Sequence, residues 1–188
     1  MQMNSHELIN DLQKRVTKAA EIVSKFRSLS KEQLNARKTA TDWSLLECLE
    51  HLNIYGNFYL PEIEHQLLIH KGIPPSTIFK SGIIGNYFTN LVQAKKGKQK
   101  KMKTLEAMNP INVELSITTI ERFLKQLEML HALLEQAKQV DLVKVKTAIS
   151  LTKLIRLRLG DTFRFLVTHI ERHVLQAQLT QIKDYTKI

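Results

Sequence analysis

The clearest pattern in this chain of 188 residues is a run of apolar side chains spaced three and four residues apart. Side chains at that spacing share one face of an α-helix, because each residue turns the helix by about 100°. The pattern predicts a helix from about Asn112 to Lys138 with one apolar face, as in the seam of a helix bundle. Its members are Val113, Ile117, Ile120, Leu124, Leu127, His131 and Leu134.

Two further stretches, near the two ends of the chain, predict helices that can pack against this face. Ser5–Phe26 repeats its apolar residues at the same three- and four-residue spacing. Gly160 is expected to break the chain, after which Asp161 caps a last helix that continues to about Asp184. Before it, the β-branched run Val143–Thr147 predicts a short extended piece.

Another helix is expected to begin near Ser44. Ser44 and Glu47 form the S-x-x-E pattern of a capping box, in which each residue satisfies a free backbone N–H of the other. Pro61 is expected to kink or interrupt this helix, since proline lacks a backbone donor. Gly72 is expected to end it.

The segment from Gly72 to Pro110 has poor periodicity and predicts a long connection (72–110). We expect a short helix around Tyr87–Gln93 and a mobile stretch at Lys95–Lys103. Glycine (6) and proline (4) are scarce, which favours helices over a turn-rich β fold. The sequence therefore predicts an all-α protein, a four-helix bundle with a long crossover connection, in a single domain over residues 1–188.

Three histidines in two of the predicted helices are candidate metal ligands. His169 and His173 lie four residues apart, so they share one helix face and can hold one ion together. A third ligand must come from elsewhere, and His51 is the best candidate. Three protein ligands with one open position is the usual arrangement of a catalytic zinc site. Spacing alone equally fits two ordinary histidines on a half-buried face.

The remaining histidines and the neighbours of the triad are weaker candidates. His131 lies on an apolar seam and fits a core position, whereas three others, His6, His65 and His70, are typical of the surface. Histidine ligands favour zinc or nickel over magnesium and calcium, which prefer oxygen.

Residues close to the three histidines have expected supporting roles. Glu47 and Gln176 are spaced to accept a hydrogen bond from a ligating histidine or to touch a substrate. Tyr55, one turn after His51, is expected to line a pocket or to pack. Arg172 is expected to point away from the ligand face, and Cys48 to be buried packing.

Two motifs of this chain resemble those of the DinB-like superfamily. The first is W-S-x-x-E-x-x-x-H-L, which runs from Trp43 to Leu52. The second is H-x-x-R-H-x-x-Q, which runs from His169 to Gln176 and follows Gly160-Asp161. The resemblance covers essentially the whole chain and implies a four-helix bundle with a metal site near one end. The ligands that it implies are His51, His169 and His173.

The resemblance implies a metal-dependent enzyme without fixing its reaction. Members of the superfamily include thiol S-transferases, enzymes like maleylpyruvate isomerase, and hydrolases. We expect a divalent transition metal, zinc or nickel, to activate water or a low-molecular-weight thiol for attack on a small-molecule substrate. The alternative is a non-catalytic bundle that binds a metal or a small ligand. Members often form dimers, so the resemblance is compatible with a homodimer, but no residue pattern in this chain marks an interface or fixes the oligomeric state.

The net charge of +10 is concentrated in Lys95–Lys103. Such a run is typical of a solvated loop, of a site for an anionic partner, or of a nucleic-acid-binding surface. Because no aromatic residues alternate with these lysines to stack on bases, specific nucleic-acid binding is not expected. The single cysteine, the lack of a secretory signal and the lack of a long apolar run predict a cytoplasmic protein with no membrane contact.

Overall fold

The computed structural model describes residues 1–93 and 104–181, except for the side chain of Lys153. Lys95–Lys103 and the predicted helix end at Asp184 lie outside these residues. The elements, in chain order, are β1 Gln2–Asn4, α1 Ser5–Ser24, α2 Lys31–Asn35, α3 Leu45–Ile69, β2 Ile78–Lys80, α4 Ile83–Val92, α5 Thr118–Ala137, β3 Lys146–Ile149, β4 Thr152–Arg158 and α6 Leu159–Thr180.

Four long helices form the body of the molecule. α3 packs against α5 and α6, and α1 packs against the same two helices, so the four enclose one apolar core. The predicted helical fold is confirmed, although it is mostly helical and not purely so, because the described residues also include two short two-stranded sheets and two shorter helices. The largest fully buried side chains include Ile9 and Leu12 of α1, Leu45, Leu49 and Ile63 of α3, Ile120, Leu127 and Leu130 of α5, and Phe163 of α6.

Interactions of neighbouring residues determine where α3 begins and allow it to continue past Pro61. The predicted capping box is present, because Ser44 Oγ accepts from the Glu47 N–H at 3.2 Å and Glu47 Oε2 accepts from the Ser44 N–H at 2.8 Å. Of the two outcomes expected at Pro61, a kink or an interruption, the interruption is wrong, since α3 runs through this residue to Ile69. Pro61 and Asn57, whose carbonyl loses its helical donor, are both exposed, so water can satisfy that carbonyl.

Two other predicted helix boundaries are wrong. α5 begins at Thr118 instead of Asn112, because Asn112 has a φ of 65°, which is incompatible with a right-handed helix. α6 begins at Leu159, so Gly160 lies inside the helix and does not break it. A Cβ on Gly160 would lie 2.4 Å from Cε2 of Phe79, so the glycine allows this close packing instead of a turn.

Asp161 does not cap its own helix as predicted. Its carboxylate accepts from the Gly82 N–H at 2.8 Å and from the Ser81 hydroxyl at 2.5 Å. Gly82 precedes the first residue of α4, so Asp161 caps α4 from the neighbouring helix. α4 itself covers the short helix predicted around Tyr87–Gln93 but begins earlier, at Ile83.

The segment before α6 forms a β-hairpin that the sequence did not predict. Residues 142–144 form a turn, and β3 and β4 pair antiparallel, with Thr147 opposite Leu157. The hairpin is held on α3, where the Tyr59 hydroxyl accepts from the Ser150 N–H at 3.2 Å. No helix among the described residues is long and apolar enough to cross a membrane.

Candidate metal centre

Three buried histidines from two helices converge between the first turns of α3 and the middle of α6. His51 comes from α3, and His169 and His173 lie on consecutive turns of α6. One ring nitrogen from each lies within 4.8 Å of the other two. Nε2 of His51 and Nε2 of His169 are 3.2 Å apart. The structure therefore brings together the three residues that the sequence singled out.

This spacing fits a shared ion. Two nitrogens bound at about 2.1 Å in a tetrahedral shell lie about 3.4 Å apart. The 3.2 Å separation of His51 and His169 is already near that value. The third nitrogen lies close enough for rotation of the rings to bring it into range. A bound transition metal is thus compatible with these side chains once the rings have rotated.

The outward nitrogens of two of the rings are fixed by acceptors. Nδ1 of His51 donates to the Met108 carbonyl at 2.7 Å, and Nδ1 of His173 donates to Oε1 of Gln176 at 3.0 Å. Because these oxygens only accept, both Nδ1 atoms carry the proton and both Nε2 atoms present a lone pair. That is the tautomer in which Nε2 binds a metal.

Glu47, the other acceptor suggested by the sequence, makes different contacts. Its buried carboxylate pairs with Arg37, with Nη2 to Oε1 at 2.5 Å, and accepts from the Asn112 N–H at 2.9 Å. It therefore joins the start of α3 to the segment that carries Met108. The sequence did not suggest Met108, because its contribution is a backbone carbonyl, which every residue has.

Burial keeps the three imidazoles neutral. Loss of solvation lowers the pKa of His51 to about 4. It also lowers the pKa of His169 and of His173 well below the ordinary value, and the charged forms of neighbouring histidines lower them further. Neutral imidazole is the form that binds a transition metal.

Aromatic rings surround the three histidines. The ring centroid of Trp43 lies 4.8 Å from that of His51 and 5.7 Å from that of His173. Tyr55 lies on the other side, 4.9 Å from His51 and 4.6 Å from His169. Burial raises the pKa of the Tyr55 hydroxyl to about 12, so it stays protonated at neutral pH.

The site opens into a cavity of about 800 Å³. Apolar side chains of α4 and of the β3–β4 hairpin line part of it, including Phe88, Leu91 and Leu157. α6 contributes polar side chains four residues apart, Arg172 and Gln176 among them. The expectation that Arg172 points away from the ligand face is wrong, because Arg172 is buried and lines this cavity. The sequence did not indicate that α4 and the β3–β4 hairpin would enclose a cavity beside Arg172.

The other candidates lie elsewhere. His6, His65 and His131 are exposed, and Nδ1 of His70 donates to the Gln66 carbonyl at 2.8 Å. Cys48 is buried, and burial raises the pKa of its thiol far above the ordinary value, which makes it a poor nucleophile. Within residues 1–93 and 104–181, the three histidines form the only group of histidine, cysteine or acidic side chains placed to share a metal ion.

Comparison with known protein families gives a match over most of the chain. The sequence model of the DinB superfamily matches residues 16–177, which include all three histidines. No curated protein and no solved structure matches the chain.

Proposed function

Since the chain belongs to the DinB superfamily, we propose that it is a metal-dependent enzyme acting on a small electrophilic substrate. His51, His169 and His173 hold one divalent transition metal ion, and the nucleophile is water or a low-molecular-weight thiol. The observation that carries this proposal is the convergence of three neutral imidazoles beside a cavity of about 800 Å³.

The donor set favours zinc or nickel. Three imidazole nitrogens suit these ions, whereas magnesium and calcium require oxygen ligands. Such an ion supplies Lewis acidity, which lowers the pKa of a water or thiol in its open position towards neutrality. Since no fourth histidine, cysteine or carboxylate joins the group in the described part of the chain, a position for that nucleophile is consistent with the geometry.

The cavity supports a small amphipathic substrate. Its apolar lining from α4 and the hairpin suits an aliphatic or aromatic group, and the polar side chains of α6 suit a hydrogen-bonding group. Tyr55 lies against two of the histidines and keeps its proton, so we assign it the role of a hydrogen-bond donor to the reacting group. Trp43 covers the opposite side of His51 and helps to exclude bulk water.

Metal content measured by inductively coupled plasma mass spectrometry tests the proposal. The wild type, His51→Ala and His169→Ala are purified without a histidine tag and incubated with zinc or nickel. We expect about one ion per chain in the wild type and none in the two variants. His131→Ala is the matched control, because His131 is exposed and outside the group, and should keep the ion. A wild type that binds no metal would contradict the proposal.

Activity assays then separate an enzyme from a binding protein. The metal-loaded protein is offered nitrophenyl esters, to detect hydrolysis, and a chloronitrobenzene with a panel of thiols, to detect thiol transfer. Turnover that disappears in His51→Ala is the expected result. A protein that holds the metal and binds small ligands without turnover would identify the non-catalytic alternative.

A further inference from the structure

One nitrogen of the metal centre is left without a partner. Nδ1 of His51 and of His173 each donate to a protein oxygen. Nδ1 of His169 is buried and has no hydrogen-bond partner among the residues that the structure describes. Since an unpaired buried polar atom is costly, and since ligating histidines normally have a partner at the outer nitrogen, this atom needs an explanation.

A second, smaller cavity lies beside His169. It has a volume of about 20 Å³ and lies between α3, α5 and α6. His169, Gly56 and Gln126 line it, together with apolar side chains. A space of this size holds one water molecule if polar atoms face it.

Gln126 supplies the second polar atom. Its Oε1 is also buried without a hydrogen-bond partner in the described residues. Nε2 of Gln126 donates to the Asn53 carbonyl at 3.2 Å and to Oδ1 of Asn57 at 2.8 Å. Because a backbone carbonyl only accepts, these bonds fix which end of the amide is the nitrogen and leave Oε1 on the other side.

Gly56 creates the space in which Oε1 lies. A Cβ at residue 56 would be 2.1 Å from Oε1 of Gln126, so any other residue would push the amide away. Gly56 is inside α3, where glycine normally destabilises a helix relative to alanine. The close approach of Gln126 explains why a glycine occupies this position.

We propose that the small cavity binds one ordered water molecule that bridges Nδ1 of His169 and Oε1 of Gln126. Gln126 is then a positioning residue for a metal ligand, connecting α5 to a site otherwise built from α3 and α6. The metal-related part of this inference rests on the proposed function. The water site itself rests on the cavity and on the unpaired atoms of two residues that line it.

Water suits this position better than a fixed acceptor because it can both donate and accept. Without an ion, the 3.2 Å contact between the two Nε2 atoms requires His169 to donate to His51, whose Nδ1 already carries its proton. Nδ1 of His169 must then accept. With an ion bound, Nε2 of His169 carries a lone pair and Nδ1 must donate. A water molecule bonded to Gln126 serves both tautomers without moving either side chain.

Two variants test the bridge. Gln126→Leu removes the acceptor. Asn57→Ala is the matched control, because it removes an exposed partner of the same amide and leaves Oε1 and the Asn53 carbonyl in place. For each protein, a high-resolution crystal structure without metal is solved, and zinc affinity is measured by competition with a chelator.

The expected crystallographic result is one water within hydrogen-bond distance of both atoms in the wild type and in Asn57→Ala. Gln126→Leu should lose it and bind zinc about tenfold more weakly, with Asn57→Ala near the wild type. The proposal is overturned if the wild type has no water there, or if Gln126→Leu keeps both the water and the zinc affinity. A wild type that shows the water but binds no zinc would refute the proposed function alone.

Discussion

α6 carries two buried polar clusters, about two turns apart, that differ in how their atoms are satisfied. In the first, Asp161 accepts from Arg164 at 3.0 Å, from Ser81 and from Gly82, and Arg164 also donates to Asn86. Its hydrogen bonds therefore stay within the protein. In the second, His51, His169 and His173 direct nitrogens at one another beside a large cavity.

The difference separates a structural cluster from a functional one. A buried ion pair is costly unless its hydrogen bonds are complete, and the cluster of Asp161 meets that condition while tying α4 to α6. In the second cluster, within the described residues, the converging ring nitrogens have only one another as partners, so they are incompletely satisfied unless something binds them. Burial alone does not distinguish the two clusters, since both Asp161 and His169 are buried.

The largest expected effect comes from removing the carboxylate of the structural cluster. Asp161→Ala leaves Arg164 buried beside no carboxylate, so it should lower the free energy of unfolding by about 3–5 kcal/mol. Urea denaturation of the metal-free protein measures this change. Asp11→Ala is the control, because Asp11 is exposed and pairs with Arg15 on the surface, and should cost under about 1 kcal/mol. If Asp161→Ala and Asp11→Ala lowered the free energy of unfolding equally, the buried cluster of Asp161 would contribute no more to stability than a surface ion pair. It could then not be called the structural cluster.

The second effect comes from binding zinc at the functional cluster. At a free zinc concentration of 100 times Kd, the free energy of unfolding should rise by about 2.7 kcal/mol, because zinc binds only the folded site. Denaturation with and without zinc gives this increment. Asp161→Ala should gain the same amount from its lower starting point, whereas His51→Ala should gain none. An increment that survives in His51→Ala would show that zinc binds elsewhere.

The third effect compares glycines that approach the two clusters. A Cβ at Gly85 would lie 2.4 Å from Cγ of Asp161, in a region held by several hydrogen bonds, so Gly85→Ala should cost about 1–3 kcal/mol. Gly56→Ala should change stability by under about 1 kcal/mol, because the flexible amide of Gln126 can move away. Thermal unfolding measures both, with Gly72→Ala as control, since nothing lies within 4 Å of a Cβ there. A larger loss at Gly56 than at Gly85 would contradict the comparison.

The smallest effect is expected from two tyrosines one turn apart on α3. Tyr59→Phe removes the acceptor of the Ser150 N–H and should cost about 1 kcal/mol. Tyr55→Phe should cost under about 0.5 kcal/mol, because no described residue hydrogen-bonds to that hydroxyl, which lies at the functional cluster. Unfolding in urea compares the two. A larger loss for Tyr55→Phe would show that its hydroxyl is structural.

The sequence predicted features whose causes lie within one or two turns of a helix. The capping box of Ser44 and Glu47 and the shared face of His169 and His173 are of this kind. The sequence predicts Asp161 as a cap of its own helix, whereas its actual partner, Gly82, is 79 residues away along the chain. Nothing local indicates such a contact.

Two other features were missed for related physical reasons. The β3–β4 hairpin turns at Ser150-Leu151, without the glycine or asparagine that usually marks such a turn, and depends on Tyr59 instead. The proximity of Gln126 to His169 depends on how closely α5 packs on α3 at Gly56. Packing distances between helices are not encoded in the periodicity of any one of them.

Trp43 gives the metal centre an optical reporter. It is the only tryptophan in the chain, its indole N–H donates to Asn109 at 3.1 Å, and its ring contacts two of the three histidines. Tryptophan emission is quenched by nearby ions with unpaired or low-lying d electrons, such as nickel, whereas closed-shell zinc leaves it bright. A simple fluorescence titration of the unlabelled wild type should therefore tell apart two metals that a set of three imidazole ligands does not discriminate.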